Sequence, residues 1–65
     1  MADKYMRLSE AREYIRRQYG VDWTVEWIRR LCLGGTFRYV RPGGPRGWIY
    51  VSQRSIDERF SQPES

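Results

Sequence analysis

Apolar residues recur at helical spacing in a first segment of the chain. Ala11 and Ile15 lie on one side of a helical wheel that carries charged residues on the other, which predicts a helix over residues 9–19. Ser9 is suited to cap its N-terminus, and Gly20 is suited to end it. The pattern therefore predicts an amphipathic helix followed by a sharp stop.

A second helical pattern follows after a short link. The segment VEWIRRLCL, residues 25–33, begins after a capping residue, Thr24 or Asp22, and is closed by Gly34 and Gly35. Its apolar side is predicted to carry Val25, Trp27, Ile28, Leu31 and Cys32, and its outward side Glu26, Arg29 and Arg30. Two helices separated by three or four residues that include a glycine match the spacing of a helix-turn-helix unit, although many packed helical hairpins share it.

The pattern then changes to runs of aromatic and β-branched residues. Residues 37–41 and 48–51 are predicted to be the two strands of a hairpin. Ser52 is suited to cap a last helix, QRSIDERF, in which Ile56 and Phe60 stand four residues apart and point inward. The first few residues and the tail SQPES are expected to be disordered.

The segment RPGGPRGW joins the two predicted strands and is longer than a hairpin requires. A two-residue turn would connect them with less ordering, so the six residues between 42 and 47 need a reason. Gly43 and Gly44 allow close approach of a phosphate to the backbone, and Arg41 and Arg46 flank the loop. One interpretation is a wing that contacts nucleic acid, and the other is a solvated loop whose arginines keep the protein soluble.

The length of 65 residues allows one domain, 1–65, of which roughly 6–60 is expected to be ordered. A core in so short a chain needs large side chains, so the ten aromatic residues are first assigned to it. Trp27 and Trp48 are predicted to be core residues for this reason. Trp23 precedes the second helix on its outward side and is either a lid on the core or a contact to DNA or a partner.

Basic residues are concentrated in the second half of the chain. The formal net charge is +4. Residues 1–28 balance five bases against five acids, whereas residues 29–54 contain six arginines and no acid. Lys4 is the only lysine, and arginine suits bidentate contacts to phosphate and guanine.

Several function classes are disfavoured by composition. With one cysteine and no histidine, the chain has no intramolecular disulfide and no credible zinc site, and we expect neither a metal nor a cofactor. Cys32 is expected to be a buried apolar residue, and no spacing places a carboxylate pair in a cleft, so no enzyme is predicted. No apolar stretch is long enough to span a bilayer, and a cytoplasmic protein with no membrane partner is expected.

The ordered set of elements resembles the excisionases of the MerR-like winged-helix class of DNA-binding proteins. The resemblance is carried by LSEAREYI, TVEWIRRL, the strand pair FRYV and GWIYVS, and the closing segment YVSQRSIDERF, and it covers roughly residues 6–60. It implies an α+β fold, a small winged helix-turn-helix, with the outward face of the second helix in the major groove of duplex DNA. The expected DNA-binding residues are Thr24, Glu26, Arg29, Arg30, Arg38, Arg41, Gly43, Gly44 and Arg46.

The resemblance also implies a function: binding and bending attachment-site DNA so that an integrase is directed toward excision, with cooperative self-association on DNA. A small transcriptional regulator of the same fold and a protein-interaction module with a basic face are the alternatives. Within the site, Glu26 either reads a cytosine amino group or pairs with Arg30.

Overall fold

Three helices and a three-stranded antiparallel sheet make up the computed structural model, which describes residues 3–61. The protein is therefore an α+β domain. In chain order the elements are β1 (Tyr5–Arg7), α1 (Leu8–Tyr19), α2 (Val25–Leu33), β2 (Tyr39–Val40), β3 (Tyr50–Ser52) and α3 (Gln53–Ser61).

The sheet has the order β1-β3-β2, with β3 antiparallel to both neighbours. Val51 lies opposite Met6 on one side and Tyr39 on the other, and this row faces the core. The next row, formed by Val40, Tyr50 and Arg7, points to the opposite face because side chains alternate along a strand. The β2–β3 hairpin is as predicted, but β1 was not predicted.

The first two helices have the predicted extents to within a residue. At the start of α1 the backbone N–H of Arg7 donates to Glu10 Oε1 at 3.2 Å, and Arg7 is the N-cap residue. The assignment of Ser9 as the cap was therefore wrong, since Ser9 lies inside the first turn. Gly20 ends α1 with φ of 68°, the left-handed conformation that glycine adopts without strain.

The N-terminus of α3 is capped by two side chains, Ser52 next to the helix and Asp3 before β1. Ser52 Oγ accepts a hydrogen bond from the backbone N–H of Ser55 at 3.1 Å, which confirms the predicted cap. The Asp3 carboxylate accepts hydrogen bonds from the Ser52 hydroxyl and from the backbone N–H of Arg54. The hydrogen bond from Ser52 lowers the pKa of Asp3. These bonds fasten the start of the chain to α3.

The core lies between the inner face of the sheet and the three helices. Its buried apolar residues are Met6, Ala11, Ile15, Ile28, Cys32, Phe37, Ile49, Val51 and Ile56. An aromatic layer covers one end: Tyr19 stacks on Phe60 with ring centroids 4.2 Å apart, and Trp23 lies 5.4 Å from Phe60 and 6.4 Å from Phe37. Of the two interpretations of Trp23, the lid on the core is the one observed.

Two tryptophans assigned to the core are exposed instead. Trp27 is 43% exposed because Ile28 and Cys32 occupy the centre of the buried side of α2, and Trp27 lies at the edge of that side. Trp48 is 69% exposed because it precedes β3 and alternates with Ile49 and Val51, which are buried in the core.

The hairpin strands are shorter than predicted. Paired residues extend over Tyr39–Val40 and Tyr50–Ser52 rather than over 37–41 and 48–51, so that the connection covers residues 41–49. The expected disorder of the chain ends concerns residues 1–2 and 62–65, which lie outside the described residues, while Tyr5 belongs to β1 and Ser61 to α3.

Candidate nucleic-acid interface

The first part of the candidate interface is the exposed side of α2. The helix begins after Thr24, whose Oγ1 accepts a hydrogen bond from the backbone N–H of Trp27 at 3.1 Å. This cap fixes the first turn, since one of the otherwise unpaired N–H groups of the helix is satisfied. Thr24 thus positions α2, as the sequence predicted.

Two arginines follow on that side of the helix. Arg29 Nη1 lies 3.6 Å from Glu26 Oε1, an ion pair between residues three apart. The predicted pair between Glu26 and Arg30 does not form, because the carboxylate is turned toward Arg29. Arg30 is exposed and makes no ion pair with any residue between 3 and 61. Its guanidinium is therefore open to a ligand.

The second part is the connection between β2 and β3, which we call the hairpin loop, residues 41–49. It is a folded turn: the N–H of Gly44 donates to the carbonyl of Arg41 at 2.9 Å, and the N–H of Gly47 donates to the carbonyl of Gly44 at 2.9 Å. A short 3₁₀ helix, Gly44–Arg46, lies between these bonds. The loop thus has internal structure that limits its conformations.

Glycine is required in the hairpin loop by close packing of the backbone. A Cβ on Gly47 would lie 2.6 Å from the Cα of Gly43, and a Cβ on Gly43 would lie 2.9 Å from the Cα of Gly47. Gly44 has φ of 74°, a region that other residues enter with strain. Gly43 and Gly44, predicted for their accessible backbone, therefore also define the shape of the loop.

The two arginines of the hairpin loop have different surroundings. Arg46 is exposed and makes no ion pair with the described residues. Arg41 is half-buried, and its Nε is buried without a hydrogen-bond partner among residues 3–61. Burial of part of this side chain means that Arg41 contributes to the packing of the loop as well as to its charge.

Arg38 lies apart from both groups. Its backbone N–H donates to Ser55 Oγ at 3.1 Å, and its carbonyl accepts from the N–H of Ser52 at 2.9 Å. The exposed side chain lines an open pocket of about 490 Å³ together with Glu58 and Arg59 of α3. The structure thus brings Thr24, Glu26, Arg29 and Arg30 together on α2 and Arg41, Gly43, Gly44 and Arg46 in the hairpin loop, but it places Arg38 on the α3 side.

Ion pairing distinguishes these surfaces from α1. All three arginines of α1 lie within 4 Å of a carboxylate: Arg12 at 3.4 Å from Asp22, and Arg16 and Arg17 at 3.3 and 3.9 Å from Glu13. Of the six arginines between residues 29 and 54, Arg29 is the one that forms an ion pair with another described residue. The acid-free segment therefore presents uncompensated positive charge.

A further surface was missed by the sequence analysis. The outer face of the sheet carries a groove of about 390 Å³, which we call the sheet groove, lined by Tyr5, Val40, Pro42, Gly43, Gly47, Trp48 and Tyr50. At its edge the Arg7 guanidinium lies 5.0 Å from the centroid of the Trp48 ring, a cation–π contact. This surface could have been predicted from the sequence, because Trp48 and Tyr50 alternate with the apolar residues Ile49 and Val51.

Other site chemistries find little support in residues 3–61. No group of three or more potential metal ligands is present in this part of the chain. Cys32 is buried, and burial raises the pKa of its thiol to about 11, which disfavours the reactive thiolate at neutral pH. None of the described helices has both the length and the apolar character needed to cross a bilayer.

Comparisons with protein-family models, with curated proteins and with solved structures find no match to this chain.

Proposed function

We propose that the protein binds duplex DNA through the exposed side of α2 and the hairpin loop. The observation that carries the proposal is the contrast in ion pairing: each arginine of α1 lies within 4 Å of a carboxylate, whereas Arg30 on α2 and Arg46 in the loop make no ion pair with another described residue. Unpaired arginines on an acid-free segment attract phosphate, which supplies most of the affinity of proteins for DNA.

The dimensions of α2 suit the major groove. A helix of nine residues is about 13 Å long. The major groove is about 12 Å wide and accepts an α-helix. The commonest specific contact there is a bidentate hydrogen bond from arginine or lysine to the O6 and N7 atoms of guanine. In this proposal Arg30 contacts a base. Arg29 contacts the DNA backbone, where a phosphate replaces Glu26 as its ion-pair partner. The N–H groups near Thr24 face a phosphate.

The hairpin loop supplies the second contact. Its internal hydrogen bonds and the Gly43–Gly47 packing restrict its conformations, so that little order remains to be imposed when DNA binds. Arg46 is the exposed cation of the loop and contacts the backbone or the minor groove. The three helices and the sheet support this interpretation as far as element order is concerned, since a helix, turn, helix and hairpin follow one another as in a winged helix.

The biological role that we propose is that of an excisionase. The resemblance of the sequence to that class supports a factor that binds and bends attachment-site DNA, associates with further copies there and directs an integrase toward excision. Regulation of transcription by the same DNA-binding surface is the alternative. The two roles are separated by measuring excision of an element from its attachment site with and without the protein. A protein-interaction module with a basic face is the remaining alternative, for which duplex binding would be absent.

The test of DNA binding uses two double variants that remove the same charge. Arg30→Ala with Arg46→Ala removes two unpaired cations, and Arg16→Ala with Arg17→Ala removes two cations that face Glu13 on α1. Duplex affinity is measured by fluorescence anisotropy, and folding by thermal unfolding. We expect the first pair to weaken binding at least tenfold more than the second. Equal losses would mean that the field of the whole protein, and not this surface, attracts DNA.

A further inference from the structure

The outer face of the sheet and the adjoining Trp48 expose aromatic rings to solvent. Trp48 is 69% exposed, Tyr5 is 38% exposed and Val40 is 40% exposed. All three line the sheet groove with the half-buried Tyr50, and the register places Val40 and Tyr50 directly opposite each other across two strands. These exposed apolar residues are grouped around one groove rather than scattered singly, which is the arrangement typical of an interaction site.

The cation beside the sheet groove indicates the chemistry of its ligand. Arg7 lies over one face of the Trp48 ring and forms no ion pair with another described residue. The nearest acid along the chain, Glu10, already accepts the backbone N–H of Arg7 in the first turn of α1. A ligand with flat apolar groups and negative charges would complement both the exposed rings and this guanidinium.

We propose that the sheet groove binds single-stranded nucleic acid, with bases stacked on Trp48 and Tyr5 and the backbone directed by Arg7. Aromatic side chains on an exposed sheet stack two or three unpaired bases in known recognition modules, and each base has a face suitable for such stacking. Arg7 covers at most one of the two faces of the indole, so the other is open to a base. This binding does not depend on the duplex contacts of α2.

A second copy of the chain is a less suitable occupant of the sheet groove. A two-fold contact would bring the same surface patch of both copies together, so that the Arg7 cations of the two copies would lie in one interface. Like charges facing each other across an interface oppose association. Charge therefore favours a polyanion over self-association at this face.

The experiment compares a single-stranded oligonucleotide of about 12 nucleotides, a length within the range that small stacking domains cover, with a duplex of the same sequence. Binding to the intact protein and to three variants is followed by fluorescence anisotropy, and thermal unfolding shows that each variant is folded. Trp48→Ala removes the ring, and Trp48→Phe keeps an aromatic face. Trp27→Ala is the matched control, because it removes another exposed tryptophan that lies on α2.

We expect Trp48→Ala to weaken single-strand binding about tenfold, the effect of losing one stacked base, and Trp48→Phe to restore most of the affinity. Trp27→Ala should leave single-strand binding unchanged. Absence of single-strand binding, or equal binding by Trp48→Ala and the intact protein, would overturn the proposal. A concentration-dependent dimer that Trp48→Ala abolishes would also overturn it and would assign the face to a second copy. Duplex affinity, measured in parallel, reports separately on the proposed function.

Discussion

Two neighbouring arginines on α2 differ in whether a carboxylate already pairs with them. Arg29 lies 3.6 Å from the Glu26 carboxylate, so under the proposed function a contact with a phosphate or a base would have to replace an existing ion pair. That exposed pair contributes little to stability, about 0.2–0.5 kcal/mol for residues three or four apart on a helix. Arg30 has no such partner among the described residues and can form a bidentate contact at no such cost.

The Arg30→Ala variant tests whether this side chain reads a base. If Arg30 contacts guanine, its loss should weaken binding to a preferred duplex by about 1–3 kcal/mol while affecting random-sequence duplex less. The preferred duplex is first selected from a random pool with the intact protein, and both affinities are then measured at one salt concentration. An equal loss on the two duplexes would show that Arg30 contacts phosphate and carries no sequence information.

At the residue scale, the three tryptophans show what periodicity predicts and what it leaves open. The helical wheel correctly placed Ile28 and Cys32 inside, but Trp27 lies at the border of the apolar side, where burial depends on neighbouring elements. The expectation of bulk in a small core led to the wrong assignment of Trp48, although strand alternation predicted its exposure. Trp23 was left open because its burial depends on Phe37 and Phe60, which are distant in sequence.

At the scale of elements, α1 and α3 are joined by a carboxylate that accepts hydrogen bonds from two phenols. The Tyr14 and Tyr19 hydroxyls donate to Asp57 Oδ1 at 2.5 and 2.6 Å. The hydrogen bond to Asp57 is the main cause that raises the pKa of Tyr19, and burial is the main cause that raises the pKa of Tyr14. The contact therefore requires both phenols to remain protonated.

These directions predict loss of stability at alkaline pH. Above about pH 10 the unfolded chain releases phenol protons, whereas the folded protein retains them. The folded state then binds more protons than the unfolded state, so the free energy of unfolding falls as pH rises. Tyr19→Phe should reduce this fall, and Tyr5→Phe, which changes an exposed ring on the sheet, should not. Urea unfolding between about pH 8 and 11 measures the free energy of unfolding of each variant. If Tyr19→Phe and the intact protein had the same pH dependence, Tyr19 would not be a source of the alkaline loss of stability.

The hairpin loop owes its shape to two glycines whose backbones are in contact. Replacing Gly47 by alanine would put a Cβ 2.6 Å from Gly43 Cα and 2.7 Å from Gly43 N, distances at which the backbone must move. Because the clash involves main-chain atoms on both sides, rotation of a side chain cannot relieve it. The backbones of Gly43 and Gly47 would have to move apart.

We expect Gly47→Ala to destabilise the protein by about 1–3 kcal/mol, the usual effect of overpacking. For a domain of this size, each kcal/mol of destabilisation lowers the Tm by roughly 4–8 °C. Arg46→Ala is the control in the same loop: its side chain is exposed, and its stability change should be within about 0.5 kcal/mol. Differential scanning calorimetry measures both, and an unchanged Tm for Gly47→Ala would show that the loop adapts without strain.

How far the elements were predictable depends on whether their signals are local. The ends of α1 and α2 were found to within a residue because Gly20 and Thr24 act within one turn of each helix. The strand β1 was missed because Tyr5–Arg7 is only three residues long and is paired through β3, more than 40 residues later. The cap from Asp3 to α3 is equally non-local. The charged residues of the candidate site stay a prediction, and the ion pair between Glu26 and Arg29 was not predicted, since Glu26 has two arginines within reach.

At the scale of the whole molecule, positive charge and exposed aromatic rings define two surfaces that share the hairpin loop. Arg30 on α2 and Arg46 in the loop make no ion pair with another described residue, and the sheet groove is lined by the rings of Tyr5, Trp48 and Tyr50. Gly43 and Gly47 of the loop also line the sheet groove. Variants outside the loop, on α2 for duplex binding and on β1 for single-strand binding, therefore separate the two proposals.

The most direct test of duplex binding by unpaired arginines is its dependence on salt. If roughly four to six arginines neutralise phosphates, log K should fall linearly with log salt concentration with a slope of about −4 to −5. Affinity for a duplex is measured by fluorescence anisotropy from about 50 to 200 mM salt, and the Arg30 and Arg46 double variant should make the slope shallower by about one unit for each phosphate that is no longer neutralised. Tight duplex binding with a slope near zero, or no duplex binding at the lowest salt, would contradict the account.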